Sequence, residues 1–121
     1  ELWPLAETSV VPSVLAEAFG MVAAEAAAAG CVPIVSDHSG LADAASVIEL
    51  DGVAPVRFET GFGTDDIAGA IDALADALIA RLDLDAAERA RQAAAARANV
   101  AAAWGWDQLA IEVADLMTTR R

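Results

Sequence analysis

The chain contains no lysine, and its seven basic residues are all arginine against 19 acidic residues, which gives a formal net charge of −12. A nucleic-acid-binding protein needs a cationic surface to displace the counterions of the phosphate backbone, and this chain has the opposite charge balance. Anionic lipid surfaces are disfavoured for the same reason. We therefore predict no nucleic-acid partner. A phosphate-bearing small ligand is still compatible with this charge, because backbone N–H groups at a helix start bind anions even in an acidic domain.

Long apolar runs and cysteine pairs are also missing. The longest apolar stretch, residues 21–29, is interrupted by Glu25 and falls short of the roughly 20 residues that a membrane-spanning helix needs. There is no basic start followed by an apolar core and a cleavage site, so we predict neither a transmembrane segment nor a secretory signal. Cys31 is the only cysteine. We expect it to pack in the core of a cytoplasmic protein.

Short β-branched runs alternate with alanine-rich segments in the first half of the chain. Strands are predicted for residues 9–11, 32–35 and 53–58, and helices for residues 21–29, 64–82, 86–103 and 106–117. Gly30 is typical of a helix C-terminus, residues 36–40 of a loop, and residues 41–45 of one or two helical turns. This alternation predicts an α/β fold: a partial Rossmann-like domain with short parallel strands, flanking helices and a helical C-terminal tail.

The first predicted strand has no candidate neighbour upstream, which leaves one edge of a thin sheet unpaired. Parallel sheets are normally buried on both faces and do not expose such an edge. We therefore expect residues 1–121 to be the C-terminal half of a domain in a longer enzyme whose N-terminal domain is missing. A second copy of the chain is another candidate partner for this edge, in a homo-oligomer.

The most informative segment joins the first two predicted strands through a helix that follows Gly20. In open α/β sheets, ligands collect beyond the carboxyl ends of the strands. The N–H groups of Gly20, Met21 and Val22 have no partner inside the helix, and the positive end of the helix dipole lies behind them. We predict that this helix end binds a diphosphate, and that Glu17 and Glu25 accept hydrogen bonds from sugar or ribose hydroxyls on either side.

Acidic residues, prolines and glycines form a pattern over this segment. Seven residues separate Glu17 from Glu25, and the other members of the pattern are Pro12-Ser13, Phe19-Gly20, Gly30 and Pro33. In this pattern the sequence resembles the donor-site signature of GT-B glycosyltransferases, family four in particular. The resemblance continues at Ser39, Gly40 and Asp43, where the family often has two glycines and then glutamate, and at Trp106-Asp107. It covers nearly the whole chain and is specific from about residue 10 to residue 40.

The resemblance implies a role for each residue of the pattern. Glu17 would be the catalytic residue, holding hydroxyls of the transferred sugar near the developing oxocarbenium charge. The sugar and diphosphate would be bound by the backbone amides of Phe19, Gly20, Met21 and Val22. Glu25 would accept the ribose hydroxyls. Similar enzymes stabilise the departing diphosphate without a metal, so the resemblance implies no metal and no cofactor besides the nucleotide-sugar donor.

The implied reaction is hexosyl transfer from a nucleoside diphosphate to an unidentified acceptor hydroxyl, with retention of configuration. The family's arginine and lysine that stabilise the leaving diphosphate lie upstream of the pattern, and this chain has no lysine and no arginine before Arg57. We therefore expect no turnover by this chain alone. Two alternatives remain open: part of a GT-B-fold sugar-nucleotide epimerase, and a non-catalytic folded fragment or interaction module.

Other polar and aromatic residues have plainer interpretations. We expect His38 and Ser39 to be solvated loop residues rather than ligand contacts. Trp104 and Trp106 are expected to anchor the last helix in a core. The charges of residues 88–97 are expected to form a solvated helix face with pairs at spacings of three and four.

Overall fold

The described residues form an α/β fold, with three parallel strands in one sheet. The computed structural model describes residues 2–49, 57–58 and 67–119. The strands β1 (Thr8–Val11), β2 (Val32–Ser36) and β3 (Arg57–Phe58) lie in the order β1-β2-β3. Both pairings are parallel, and β1 begins with Thr8 opposite Val32. This confirms the predicted Rossmann-like class, while the strand prediction for residues 53–56 lies outside the described residues.

Helices make up most of the remaining described chain. They are a 3-10 turn (Trp3–Leu5), α1 (Met21–Ala28), α2 (Ser39–Ile48), α3 (Ile67–Leu82), α4 (Ala86–Trp104) and α5 (Trp106–Thr119). The prediction for α2 was too short, because the helix begins before Leu41 and continues until Ile48 is buried against the sheet. No helix in the described ranges is long and apolar enough to cross a bilayer. The first three residues of the helix predicted for residues 64–82 lie outside those ranges.

The main core lies where α1 and α2 meet the sheet and α4. Four alanines of α1 are buried, and with Ala44 and Ala45 of α2 they let these helices approach α4 closely. Val35 of β2 belongs to this core, whereas Ile34 of the same strand packs on α3. Because β2 is covered by different helices through these two residues, it is buried along its whole length, as expected for an inner parallel strand. Cys31 is fully buried, and this burial raises the pKa of its thiol.

A buried arginine joins α3 to α4. Arg81 is 1% exposed, and its guanidinium donates to the side-chain oxygen of Gln92, which is also fully buried. Gln92 donates in turn to Glu88 at 2.8 Å. Arg91 donates to the same carboxylate from three residues along, as predicted, and these hydrogen bonds lower the pKa of Glu88 to about 2. The charge run is therefore only partly a solvated face.

The last two tryptophans have different surroundings. Trp104 is half-buried against the main core and contacts Phe19 edge to face, with ring centroids 4.8 Å apart. Trp106 is 82% exposed, so the prediction that it packs in a core is wrong. The physical reason is that Gly105 has an extended backbone and directs α5 away from the core. Within the described structure no residue of α5 is buried.

The first turn of α2 lies directly against the backbone of residues 17–19. The N–H of Gly40 donates to the carbonyl oxygen of Glu17 at 2.9 Å. A Cβ atom on Gly40 would lie 2.6 Å from the carbonyl oxygen of Ala18. Backbone atoms cannot move aside as the end of a flexible side chain can, so this contact requires glycine.

We expect Gly40→Ala to lower the free energy of unfolding by about 1–3 kcal/mol, because the added methyl group forces two backbone segments apart. Urea unfolding followed by circular dichroism measures this difference. The matched control is Asp43→Ala, which places an alanine at an exposed position of the same helix and should leave the free energy unchanged or slightly higher. Equal unfolding midpoints for Gly40→Ala and the wild type would contradict the close approach.

Candidate functional site

Two helices begin at the sheet edge where β1 and β2 end. Residues 12–20 lead from the end of β1 to α1, and α2 begins shortly after the end of β2. Because the strands are parallel, their carboxyl ends meet at one edge, where ligands bind in open α/β sheets. The hydrogen bond from Gly40 to Glu17 ties the first loop to the start of the second helix. This edge is the candidate site.

The start of α1 presents backbone donors without acceptors. Gly20 precedes the helix in the left-handed conformation, with φ 79°, and its carbonyl oxygen accepts from Ala23 at 3.0 Å. In the described part of the chain, no oxygen accepts a hydrogen bond from the N–H groups of Phe19, Gly20, Met21 and Val22. Unpaired amides at the positive end of a helix dipole are suited to bind the oxygens of an anion.

Glu17 is held at this edge through both its backbone and its side chain. Its N–H donates to Ser39 Oγ at 3.0 Å, and its carbonyl oxygen accepts from Gly40. Its carboxylate oxygen Oε1 accepts a hydrogen bond from the hydroxyl of Ser13. No described residue hydrogen-bonds the other carboxylate oxygen. One oxygen of Glu17 is thus fixed, and the other can accept from a ligand.

Glu25 lies on the exposed side of α1, in the second turn. Positions three and four apart share a helix face, so Glu25 is on the same face as Met21 and Val22, whose amides are unpaired. Within the described ranges its carboxylate has no hydrogen-bonding partner. That Glu17 and Glu25 accept hydroxyls of one ligand stays a prediction.

His38 connects the two loops of the candidate site. It is only 8% exposed, so the prediction of a solvated loop residue is wrong. Its Nε2 lies 2.7 Å from the carbonyl oxygen of Ser13, and its Nδ1 lies 3.0 Å from Ser39 Oγ. The chain after β2 turns so that the ring lies between the loop of residues 12–20 and the start of α2. A carbonyl oxygen only accepts, so Nε2 carries a proton.

Ser39 has a backbone conformation that favours glycine. Its φ is 49°, and among the described residues it is the only one other than glycine with a positive φ. This conformation costs an ordinary residue about 1–2 kcal/mol. The family pattern often has glycine here, and the serine hydroxyl offsets the cost through its contacts with Glu17 and His38.

Replacing Ser39 with glycine and with alanine separates backbone strain from the hydroxyl group. Both variants lose the two hydrogen bonds, but Ser39→Gly should be more stable than Ser39→Ala by about 1 kcal/mol, because only alanine keeps a Cβ at positive φ. Urea unfolding measures the difference. At Ser46, inside the same helix, the order should be reversed, with alanine about 1 kcal/mol more stable than glycine. The same order at both positions would contradict the left-handed conformation of Ser39.

The fold and this edge define an α/β domain in which a helix start with unpaired amides lies beside a carboxylate that accepts a hydrogen bond from Ser13. A sequence model of the family described as "Glycosyl transferases group 1" matches residues 1–99. The match covers more than half of the chain, and the chain therefore belongs to glycosyl transferases group 1. No individual curated protein matches the chain, and neither does any solved structure. The family match confirms the resemblance of the sequence to glycosyltransferases and ends within α4, before α5.

Glu17 and the amides of residues 19–22 lie on the loop and the helix start at this edge, and the structure adds contacts of Ser13, His38 and Ser39 there. Sequence reasoning missed these three because hydroxyl and imidazole groups occur in many solvated loops. One signal was present: serine stands at position 39, where the pattern often has glycine. A residue that accepts strain in place of glycine indicates that its side chain makes contacts of its own. In the described ranges, no group of three or more histidine, cysteine or acidic residues is arranged to hold a metal ion.

Proposed function

We propose that this chain binds the nucleotide-sugar donor of a retaining GT-B glycosyltransferase at the carboxyl edge of its sheet. The observation that supports this most is the group of unpaired amides at residues 19–22 beside the fixed carboxylate of Glu17. It occurs in a chain that belongs to glycosyl transferases group 1. The donor half acts as part of a longer enzyme that also holds the acceptor.

The amides of residues 19–22 bind the diphosphate and the adjoining sugar. Backbone N–H groups hold the anion through their partial positive charge and need no cationic side chain, and no lysine or arginine precedes Arg57 in this chain. When the bond between the anomeric carbon and the diphosphate oxygen breaks, the electron pair leaves with the diphosphate. Fixed donors stabilise that growing charge, because they are already oriented before the bond breaks.

Glu17 acts on the sugar. Its unengaged carboxylate oxygen accepts a hydrogen bond from a sugar hydroxyl, and its negative charge stabilises the positive charge that develops on the anomeric centre. The acceptor hydroxyl attacks the anomeric carbon on the face from which the diphosphate leaves and passes its proton to the departing diphosphate oxygen, so configuration is retained. Glu25, about one helical turn beyond the amides of Met21 and Val22, accepts the hydroxyls of the ribose.

Calorimetric titration of the chain with UDP, GDP and ADP tests the binding proposal. We expect at least one of them to bind with unchanged affinity in the presence of EDTA, since no metal takes part. Glu25→Ala should weaken that binding by about tenfold or more, because a carboxylate–hydroxyl hydrogen bond contributes roughly 1.5–3 kcal/mol.

The matched control is Glu112→Ala, which removes an exposed glutamate from α5 and should leave the affinity unchanged. Failure of the folded wild-type chain to bind any of the three nucleotides would contradict the proposal. Binding that Glu25→Ala and Glu112→Ala weaken equally would place the ribose elsewhere. Release of nucleoside diphosphate from UDP-glucose, GDP-glucose or ADP-glucose by the chain alone would contradict its role as a donor half only.

A further inference from the structure

We propose that His38 is a positioning residue for Glu17, acting through a closed ring of hydrogen bonds that also includes Ser13 and Ser39. The inference rests on the proposed function, because the orientation of Glu17 matters to a donor only if the donor binds at this edge. It assigns a role to a buried histidine that does not itself contact the ligand.

The ring has four links and returns to its starting residue. The Ser13 hydroxyl donates to Oε1 of Glu17, and the Glu17 N–H donates to Ser39 Oγ at 3.0 Å. Ser39 Oγ then lies 3.0 Å from Nδ1 of His38. Nε2 of His38 closes the ring on the carbonyl oxygen of Ser13 at 2.7 Å. Each of the four residues is therefore held at two points.

The proton positions in the ring follow from its acceptors. Nε2 donates, because the Ser13 carbonyl oxygen only accepts. In the neutral imidazole, Nδ1 then has a free lone pair and accepts the Ser39 hydroxyl proton. The Ser39 oxygen in turn accepts the N–H of Glu17. Donor meets acceptor at every link. The three bonds that run through the Ser39 hydroxyl and the imidazole are arranged head to tail, so they strengthen one another.

The ring fixes the orientation of Glu17, which its loop alone does not fix. Residues 12–20 contain no helix or strand, and Glu17 lies within them. A carboxylate on such a loop must be ordered when ligand binds, and that ordering lowers affinity. His38 is 8% exposed and follows the end of β2. Its hydrogen bond to Ser13 therefore connects this loop to the rigid sheet. The contacts of the Ser39 hydroxyl in the ring offset the cost of its positive φ.

This role predicts that breaking the ring lowers the binding affinity only for ligands that carry the sugar. The probes are matched pairs, each nucleoside diphosphate against its glucose ester: UDP and UDP-glucose, GDP and GDP-glucose, ADP and ADP-glucose. His38→Ala and Ser13→Ala break different links of the ring. Each should weaken binding of the glucose ester about tenfold, the effect of losing one well-oriented hydrogen bond to a charged group, and change binding of the bare diphosphate less than about twofold.

A double-mutant cycle separates positioning from general structural support. Adding His38→Ala to Glu17→Ala should cause no further loss for the glucose ester, because His38 acts only through Glu17. Equal losses for both members of a ligand pair, or additive losses in the cycle, would overturn the proposal. Ser13→Ala changes a half-buried loop hydroxyl and leaves the core intact, so equal losses for both members of a ligand pair in this variant would overturn the positioning of Glu17 by the ring even where His38→Ala does not fold.

The ring has a readout that does not depend on ligand. Long-range ¹H–¹⁵N spectra of the imidazole should show the proton of neutral His38 on Nε2 in the wild type and in Ser13→Ala, whose carbonyl is unchanged. A proton on Nδ1 of the neutral ring would overturn the proposal. If the spectrum is as expected but the wild type binds none of the six probes, the proposed function is refuted. The positioning of Glu17 for a donor is then refuted as well.

Discussion

The contact between the backbone of residues 17–19 and the first turn of α2 determines the geometry of the whole candidate site. It exists because Gly40 has no side chain, and it is fixed by the hydrogen bond from Gly40 to the carbonyl oxygen of Glu17. Gly20 packs against the same turn, where a Cβ would lie 3.2 Å from the carbonyl oxygen of Gly40. The start of α1, the start of α2 and the loop that carries Glu17 are thus brought to one place by two glycines.

The alanine-rich composition allows the helices of this arrangement to pack closely on the core. Alanine side chains are small, so α1 and α2 lie close to the sheet and to α4 without large residues between them. Arg97 of α4 donates to the carbonyl oxygen of Ala29 at 2.9 Å and so satisfies an acceptor at the C-terminal end of α1. One end of α1 is therefore closed by a side chain of the protein, while the amides at its other end have no described acceptor and are available to a ligand.

Donors that do not depend on cationic side chains are suited to bind an anion in a chain with a net charge of −12. Backbone amides are donors of this kind, since their partial charges are fixed by the helix and unaffected by pH. The carboxylate of Glu17 adjoins them and would repel a diphosphate if it turned toward the phosphates. The hydrogen bond from Ser13 and the contacts of Ser39 hold that loop in place. The contacts that assemble the site therefore also keep the negative Glu17 carboxylate in a fixed place relative to the partial positive charges of the amides.

The sequence by itself determined the alternation of strands and helices, the glycine-led start of α1 and the spacing of Glu17 and Glu25. These are local properties, because periodicity, capping and the freedom of glycine depend on a few neighbouring residues. Only the tertiary structure decided that His38 is buried beside Ser13, that Arg81 lies in the interior, and that Trp104 packs on the core while Trp106 does not. Each of these depends on residues distant in the chain that meet only after folding, and no local pattern specifies which of two similar side chains will find a partner.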